Sequence, residues 1–267
     1  MTSYVVTGGS RGLGLEYVKQ LSEDPKNVVF GLVRNKKRAT RLFDLNRQNV
    51  HIIEADIVDP EGLQIAAKEV SNVTGGKLDV LINNAAYVLE AERVGLTLST
   101  YPEGKFDVLE KDLKESFNVN VIGVIHTINA FLPLLRAGRA KKVMSLSSGL
   151  GDYDFTLKDS FAIHSPYSIS KAALNMVVVK YAAELAGEGF VFLAVSPGFV
   201  NTQETEPTPK EIESFKGILK KFQVVYPSFE GPTTPESSVR MTLDVLNKST
   251  VDDSGAFLSH YGNKEWL

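Results

Sequence analysis

The chain contains no cysteine among its 267 residues. Disulfides, thiolate catalysis and cysteine-based zinc sites are therefore excluded, and no metal site is assigned. The chain also lacks a basic surplus, because its net charge is −3 and its sequence pI is near 5.9. Nucleic acids and anionic membranes attract basic surfaces, so neither is an expected partner.

Targeting and membrane signals are also missing from the sequence. The first strand-like run begins at Tyr4, which leaves no room for the charged and apolar regions of a signal peptide. No run of 18 apolar residues predicts a spanning helix. We therefore expect a cytoplasmic protein. At 43% hydrophobic and 23% charged residues, the chain can bury a core as one domain over residues 1–267.

Short apolar runs of strand length alternate with longer amphipathic runs along most of the chain. The strand-like runs are YVVT, NVVFGLV, VHIIEAD, LDVLINN, KKVMSLSS and FVFLAVSPG. The helical patterns cover Leu13 to Leu21, Glu61 to Asn72, Val108 to Leu135 and Tyr167 to Ala186. Continuous apolar strands separated by helices predict an α/β fold with a doubly wound parallel sheet of about seven strands and helices on both faces.

Two segments, 87–107 and 199–235, interrupt this alternation. Both are rich in Pro, Gly, Thr, Ser and Glu, and the second contains a short helical pattern, TPKEIESFKGILKKF. Ligands of open α/β sheets bind beyond the carboxyl ends of the strands. The segments are therefore predicted pocket walls or lids, with tolerated surface insertions as the alternative.

A glycine-rich turn, VVTGGSRGLG, joins the first strand to the first helix. Its Gly8, Gly12 and Gly14 have G-x-x-x-G-x-G spacing. Glycines permit unusual backbone angles and close approach, and a helix N-terminus offers unpaired N–H groups to a pyrophosphate. The Gly-Lys-Ser/Thr of a nucleotide triphosphatase loop is absent from GLGLEY. The turn therefore predicts a dinucleotide site.

The second strand ends without an acidic residue. NAD-binding chains usually place Asp or Glu about 20 residues after the glycines, to hold the ribose 2′-hydroxyl. Here Leu32, Val33 and Arg34 occupy that region. Arg34 can pair with a 2′-phosphate, and Arg11 in the glycine turn adds a second cation. NADP is the predicted cofactor, with two solvated arginines as the alternative.

Tyr167 and Lys171, in PYSISK, are four positions apart at the start of a long helix. Positions i and i+4 share one helix face. A free phenol titrates near 10, so proton transfer at pH 7 calls for a pKa lowered by about 2–3 units, or about 3–4 kcal/mol. A unit charge about 4 Å away supplies on the order of 4 kcal/mol at an effective dielectric near 20. The pair predicts a phenol whose pKa is lowered by the lysine.

Five motifs occur in one order, namely TGGSRGLG, NNAA (Asn83–Ala86), SLSSGLG (Ser145–Gly151), YSISK and SPGFVNT (Ser196–Thr202). Together they resemble the short-chain dehydrogenase/reductase family in its single-domain branch, over nearly the whole chain. Within it, the chain is most similar to carbonyl reductases and norsolorinic acid ketoreductase-like proteins. The resemblance implies a Rossmann-type fold and hydride transfer with a nicotinamide cofactor.

The resemblance also implies roles for single residues. Tyr167 looks like the general acid/base, and Lys171 would stabilise the phenolate and hold the nicotinamide ribose. Ser148 matches the serine that binds the carbonyl oxygen, and Ser147 is the competing serine. Asn120 resembles the asparagine that holds a relay water and links to the lysine, while Asn118 is the weaker alternative. The implied cofactor contacts are Gly8, Ser10, Arg11, Gly12, Leu13, Gly14, Arg34, Asp56, Ile57, Asn83, Ala85, Tyr167, Lys171, Pro197, Gly198, Val200 and Thr202.

The sequence departs from the family pattern at two places. Ala86 stands where glycine is usual, and 18 residues separate Ser148 from Tyr167, several more than is typical. The longer interval makes residues 152–165 a third predicted substrate segment. Its aromatic residues, Tyr153, Phe155 and Phe161, predict a substrate wall or a partner contact, with plain packing equally supported. His164 is expected at the surface.

The helix from Tyr167 to Ala186 is apolar over most of its circumference. Such a helix must be covered on more than one side. The family's habit implies a homodimer or homotetramer, and the alternative is a monomer that buries the helix under segment 87–107.

The leading hypothesis is an NADPH-dependent carbonyl reductase that acts on a ketone, aldehyde or secondary alcohol. The first alternative is a non-catalytic regulatory protein that senses NADP with the same fold, since a fold does not determine function. The second is a non-redox nucleotide enzyme such as a methyltransferase.

Overall fold

The computed structural model describes residues 1–101, 104, 106–202, 206, 209–227 and 229–267. Within these residues, seven parallel strands form one sheet in the order β3-β2-β1-β4-β5-β6-β7. The strands are β1 (Ser3–Thr7), β2 (Val28–Val33), β3 (Val50–Glu54), β4 (Val80–Asn83), β5 (Lys142–Leu146), β6 (Val191–Ser196) and β7 (Phe257–Ser259). The order reverses between β1 and β4, and this reversal creates a crevice at the carboxyl edge of the sheet.

The helices cover both faces of this sheet. They are α1 (Gly12–Leu21), α2 (Thr40–Phe43), α3 (Pro60–Thr74), α4 (Ala91–Val94), α5 (Phe106–Phe117), α6 (Gly123–Ala137), α7 (Tyr153–Lys158), α8 (Ser165–Glu184), α9 (Pro209–Val225) and α10 (Pro235–Lys248). The predicted α/β doubly wound fold is therefore confirmed, with one domain.

Strand alternation divides the core into two layers. Val5 packs on the layer with α3, α6 and α8, while its neighbour Val6 packs on the layer with α1 and α10. Successive strand residues point to opposite faces, so a strand covered on both sides must be apolar throughout. This explains why β6 is buried at every position.

Two elements differ from the sequence prediction. The pattern predicted as one helix from Val108 to Leu135 is divided by a π-helical turn at Asn118–Ile122, between α5 and α6. Helical periodicity in a sequence does not resolve one extra residue in a turn, and π-helical turns occur frequently at functional sites. Strand β7 has three residues and was not among the six apolar runs, because so short a run carries little periodic signal.

One helical stretch of the described chain, Phe106–Ala137, is long and apolar enough to cross a membrane by length and composition alone. No such helix was expected from the sequence. In the fold, the stretch comprises α5, the π-helical turn and α6, and it packs on the sheet through Val124, Ile128 and Phe131. A core helix with these contacts passes the same test of length and composition.

A smaller aromatic cluster lies beyond the carboxyl edge of the sheet. It consists of Phe155, Phe161, Ile163, Phe222 and Trp266, with Leu150, Phe199, Tyr226, Phe229, Phe257 and Leu267 packed against them. The cluster joins α7, α9 and the C-terminal residues. It holds residues 152–165 and the described part of segment 199–235 against each other.

Candidate active site

The glycine turn lies at the carboxyl end of β1, next to the crevice. Gly8 and Gly12 both have left-handed backbone angles, with φ of 70° and 53°. A side chain at Gly8 would meet Ala85, and one at Gly12 would meet Thr202 at 3.5 Å. The turn after β1, the NNAA motif after β4 and the segment after β6 are therefore neighbours, as the motif order predicted.

Gly14 is required by a closer approach. A Cβ added there would lie 2.1 Å from the Gly8 carbonyl oxygen and 2.5 Å from Asn84 Nδ2. The first turn of α1 can approach the loop this closely only because Gly14 has no side chain. The loop is shaped to bring backbone N–H groups and a helix N-terminus to an anion, which is the fit that a dinucleotide pyrophosphate needs.

Asn84 is a site residue that sequence analysis missed. Its side-chain amide donates to the Thr7 carbonyl at 2.8 Å and to the Gly8 carbonyl at 3.3 Å. Thr7 Oγ1 in turn accepts from the backbone N–H groups of Asn84 and Ala85, each at 3.0 Å. These bonds tie the end of β4 to the glycine turn. Asn84 could have been identified from the alternation of side chains along a strand. Asn83 is the last residue of β4, so the side chain of Asn84 points to the opposite side from that of Asn83.

Asn83 itself is buried inside the sheet and donates to Ser145 Oγ at 3.2 Å. This contact connects the ends of β4 and β5. The contact holds Asn83 within the sheet, whereas Ala85 lies at the glycine turn, where a side chain on Gly8 would meet it.

The two predicted arginines, Arg11 and Arg34, are exposed. Arg11 is the N-cap residue of α1 and Arg34 follows β2 directly. Both therefore belong to the carboxyl edge of neighbouring strands. Further cations follow in the single turn Lys36–Arg38, which sequence analysis did not single out.

The remaining predicted cofactor positions lie along the same edge. Asp56 follows β3 and accepts from the Val58 N–H at 3.2 Å, while the buried Ile57 packs where a side chain on Gly123 would lie. After β6, Pro197 accepts from Ser238 Oγ at 2.7 Å, and Val200 pairs with Thr233. Ser10 and Leu13 belong to the glycine turn and to α1.

Gly198 sits in this segment with φ of 82°, directly under the ring of His260. A Cβ at Gly198 would lie 2.7 Å from His260 Cε1. His260 is almost fully buried, and burial lowers the pKa of its imidazole. Sequence analysis missed this histidine, because it follows strand β7, which was not among the apolar runs recognised in the sequence.

Tyr167 and Lys171 lie on one face of the first turns of α8, beside the end of β5. The Lys171 amine is 5.5 Å from the centre of the Tyr167 ring and donates to the Leu146 carbonyl at 2.6 Å. The Ser148 side chain lies close enough to the Tyr167 hydroxyl to lower the pKa of that phenol. The sheet edge and the helix therefore bring the three predicted residues together.

The expected lowering of the phenol pKa is wrong for this structure. Burial raises the pKa of Tyr167 to about 12, although the Ser148 hydrogen bond acts to lower it. Burial also lowers the pKa of Lys171 to about 7. The sequence-based argument assumed that Lys171 is fully charged and that the effective dielectric is near 20. Desolvation instead disfavours both the phenolate of Tyr167 and the ammonium of Lys171.

The two serines after β5 have different partners. Ser147 is buried and donates to Asn175 Oδ1 at 2.6 Å, which fastens the strand end to α8. Ser148 caps the following turn by accepting from the Leu150 N–H at 3.2 Å, and it reaches Tyr167. A side chain on Gly151 would lie 2.9 Å from the Ala172 nitrogen. This close packing sets the distance from Ser148 to α8.

Asn120 is buried in the π-helical turn, whereas Asn118 is exposed. Asn120 Oδ1 accepts from the Tyr87 N–H at 2.7 Å, and its Nδ2 donates to the Tyr87 carbonyl at 3.0 Å and to Ser170 Oγ at 2.9 Å. The choice of Asn120 over Asn118 thus agrees with burial. Its amide contacts Ser170 beside Lys171, and the amine of Lys171 bonds Leu146 instead.

The surface position expected for His164 is wrong. Its ring stacks on that of Tyr167, and burial lowers its pKa to about 4. The sequence shows that His164 is three residues from Tyr167. It does not show the backbone conformation at the start of α8 that directs the His164 ring inward. Of the three aromatic residues in the long interval, Phe155 and Phe161 are buried in the aromatic cluster and Tyr153 is 75% exposed.

Comparison with known proteins supports the same grouping. A sequence model of the family described as short chain dehydrogenase matches residues 3–213. The short-chain dehydrogenase/reductase AacuF of Aspergillus aculeatus is 48% identical over 271 residues, with 100% of both chains covered. The short-chain dehydrogenase/reductase atnB of Arthrinium sp is 45% identical over 276 residues, again with 100% of both chains covered.

Solved structures share the fold. The NADPH-bound carbonyl reductase from chicken fatty liver superposes with a TM-score of 0.77 at 26% identity, and covers 100% of this chain and 99% of its own. The carbonyl reductase Sniffer of D. melanogaster has a TM-score of 0.78 at 24% identity and 98% coverage of both chains, a likeness of fold alone. Motif order, sheet topology and full-length similarity lead to one conclusion: this chain belongs to the short-chain dehydrogenase/reductase family, a family of oxidoreductases.

Proposed function

We propose that the protein is an NADPH-dependent carbonyl reductase that acts reversibly on a ketone, an aldehyde or the corresponding secondary alcohol. The observation that carries the proposal is the grouping of Tyr167, Ser148 and the buried Lys171 at the same sheet edge as the glycine turn, with the Lys171 amine 5.5 Å from the centre of the Tyr167 ring. When bound, the nicotinamide cofactor supplies a hydride. The chain's own residues orient the reactants and move the proton.

Tyr167 is the proton donor in this proposal. With a pKa of about 12, its phenol is protonated at pH 7, which is the state required to give a proton to a developing alkoxide. Ser148, whose side chain lies beside the same hydroxyl, is placed to bind the carbonyl oxygen next to that donor. A raised phenol pKa favours reduction at neutral pH, and the reverse oxidation is then expected to improve at alkaline pH.

Lys171 has two roles in the proposal. Its amine is held at the Leu146 carbonyl, so its position is set before any ligand arrives. It would hold the nicotinamide ribose and favour the phenolate once its charge is restored by a bound anionic cofactor. The glycine turn, Asn84 and Thr202 would hold the rest of the dinucleotide.

The preference for NADP rests on the cations after β1 and β2. Arg34 is expected to pair with the 2′-phosphate, and a charge-assisted bond of this kind contributes about 1.5–3 kcal/mol. Arg34→Ala should therefore raise the Kd for NADPH by about 10- to 100-fold and leave the Kd for NADH nearly unchanged. Fluorescence titration of both cofactors measures this.

Lys68→Ala is a matched control, because Lys68 is an exposed cation on α3. Its loss should change neither Kd. Equal weakening of NADPH and NADH in the Arg34 variant would contradict a 2′-phosphate contact.

Segments 87–107, 152–165 and 199–235 are proposed as the substrate walls. Residues 102, 103, 105, 203–205, 207, 208 and 228 of these segments lie outside the described part of the chain. The described residues bring the second and third segments together in the aromatic cluster. Carbonyl compounds with apolar or aromatic bodies would suit such walls.

A cofactor-consumption screen tests the function. Purified protein is mixed with NADPH or NADH and a panel of aldehydes, diketones, quinones and aromatic ketones, and absorbance of the reduced cofactor is followed. NADPH consumption with at least one carbonyl class supports the reductase. Binding of NADPH without turnover of the panel would favour the non-catalytic sensor, and binding of neither nicotinamide cofactor would revive a non-redox enzyme.

We also propose a homodimer or homotetramer that buries the outer face of α8. Ile169, Met176 and Val179 on this face are 45%, 56% and 43% exposed. Ile169 also lines a groove with Phe117 of α5. Exposed contiguous apolar surface marks an interaction site. Because the described part of segment 87–107 leaves Met176 and Val179 exposed, that loop does not cover this face.

Light scattering tests the assembly. The mass should be a multiple of 29.3 kDa, and Met176→Lys should lower it, since a charge in an apolar contact is poorly tolerated. A mass of one chain for the unmodified protein would reject the oligomer.

A further inference from the structure

His164 presents a flat ring to the phenol of Tyr167. The two ring centres are 4.7 Å apart and the planes differ by 17°. Aromatic rings prefer offset stacked arrangements at this separation. The contact therefore covers one surface of the phenol with an apolar ring face.

The backbone holds His164 in an unusual conformation. Its φ and ψ are 62° and 28°, the left-handed region that non-glycine residues seldom adopt, at the N-cap of α8. Its N–H donates to the Val94 carbonyl at 2.9 Å, which joins α4 to the start of α8. Its carbonyl accepts from the N–H of Ser168 at 3.0 Å and from Ser168 Oγ at 3.1 Å. These bonds fix the direction in which the ring leaves the chain.

The imidazole is neutral as well as fixed. Burial lowers its pKa to about 4, so it carries no charge at neutral pH to oppose the nearby Lys171. Its buried Nε2 makes no hydrogen bond to the described protein atoms. Packing, and not hydrogen bonding by the ring, accounts for its placement beside Tyr167.

We propose that His164 is a positioning residue that fixes the plane of the Tyr167 phenol by stacking and shields that phenol from water. The proposal rests on the proposed function, in which Tyr167 is the proton donor. A phenol held in one plane keeps its hydroxyl aligned with Ser148. Release of the ring would allow the hydroxyl to leave that alignment, and small displacements at a reacting atom reduce turnover strongly.

The elements around Tyr167 carry other ionisable groups among the described residues. Lys171 lies on α8 itself, Tyr87 lies on the segment after β4 that Asn120 holds, and Arg93 on α4 is paired with Asp112 of α5 at 2.7 Å. The stacked ring thus keeps water away from Tyr167, and the Lys171 amine is the group on the same helix that gains charge when an anionic cofactor binds. Loss of the ring should hydrate the phenol and lower its pKa.

Two variants distinguish the effect of the His164 ring from the effect of the backbone conformation at that position. His164→Asn keeps a residue type that tolerates the left-handed region but removes the ring. His164→Phe keeps a flat ring but removes both nitrogens. We expect His164→Asn to lower kcat about tenfold, and to move the alkaline fall of the reduction rate to lower pH by about one unit. We expect His164→Phe to retain kcat within about threefold and to keep the pH profile.

His51→Asn is the matched control. His51 also stacks on an aromatic ring, that of Phe30, with centres 5.0 Å apart and planes differing by 25°, but on β2 and β3 of the sheet. The same substitution there should leave kcat and the pH profile unchanged. Fluorescence titration with NADPH gives the concentration of folded binding sites for every variant, so that a loss of folded protein is not counted as a loss of turnover.

Three results would overturn the proposal. His164→Asn could keep the turnover and the pH profile of the unmodified protein. Both variants could lose turnover equally. Both could raise the KM of the carbonyl with kcat unchanged, which would make the imidazole a substrate contact. Failure of the proposed function is distinguished by Tyr167→Phe in the same assays, because an active Tyr167→Phe protein rejects the proton donor whatever the His164 variants do.

Discussion

Tyr167→Phe is expected to lower turnover of a carbonyl substrate by about 10²- to 10⁴-fold, the range supplied by a positioned general acid. The substitution removes one hydroxyl from a half-buried ring and keeps the stacking partner and the nearby Lys171 amine. Affinity for NADPH should therefore change by less than about threefold. Steady-state kinetics and fluorescence titration measure the two quantities on the same preparation.

Tyr181→Phe provides the matched control on the same helix. The Tyr181 hydroxyl donates to Asn129 Oδ1 at 2.7 Å, on the side of α8 that faces α6. Its loss should reduce the free energy of unfolding by about 1 kcal/mol without a change in turnover. A Tyr167→Phe protein with turnover within about tenfold of the unmodified protein would reject Tyr167 as the proton donor.

Gly14→Ala is expected to have the largest effect on cofactor binding. The new Cβ would lie 2.1 Å from the Gly8 carbonyl oxygen and 2.5 Å from Asn84 Nδ2. The loop must move, because a backbone atom cannot yield as a flexible side chain can. Overpacking of this kind costs about 1–3 kcal/mol of stability. The displaced N–H groups should weaken NADPH binding by at least about tenfold.

Gly187→Ala serves as the comparison, since a Cβ at Gly187 meets no atom within 4 Å. Its free energy of unfolding and its NADPH affinity should match those of the unmodified protein. Denaturant unfolding and cofactor titration of both variants check the prediction. A Gly14→Ala protein with unchanged NADPH affinity would show that the close approach of α1 to the loop does not shape the cofactor site.

Tyr167 has a raised pKa although Lys171 lies beside it. An electrostatic argument from spacing alone treated the amine as a full charge, whereas burial lowers the pKa of Lys171 to about 7. Without a bound cofactor, the Tyr167 phenol therefore stays protonated at neutral pH. An anionic dinucleotide next to the amine would favour its protonated form, so cofactor binding and lysine charge are expected to reinforce each other.

Much of the site was predictable because it follows from local chain chemistry. Glycine spacing after a buried strand, two residues four positions apart on a helix and a serine after a strand each need only a short segment to be recognised. Parallel strands place their carboxyl ends at one edge, so motifs after β1, β4, β5 and β6 had to meet there. The order of these motifs predicted the fold for the same reason.

Contacts between distant segments were not predictable in this way. Asn84 is next to the chosen Asn83, and only the packing of β4 against β1 decides that its amide holds the glycine turn. His164 was expected at the surface, yet the bond of its N–H to Val94 and the left-handed start of α8 bring its ring onto Tyr167. His260 reaches Gly198 from the turn that follows β7, a strand too short to be recognised in the sequence.

The sequence by itself determined the alternation of strands and helices, the glycine turn, and the identity of the Tyr167, Lys171 and Ser148 group. Side-chain period and backbone freedom are properties of a few neighbouring residues, and therefore remain readable in the chain. The tertiary structure alone decided which groups are desolvated, which rings stack and which amides join separate strands. Burial and hydrogen bonding between distant segments depend on where the folded chain excludes water, and that is a property of the whole packed molecule.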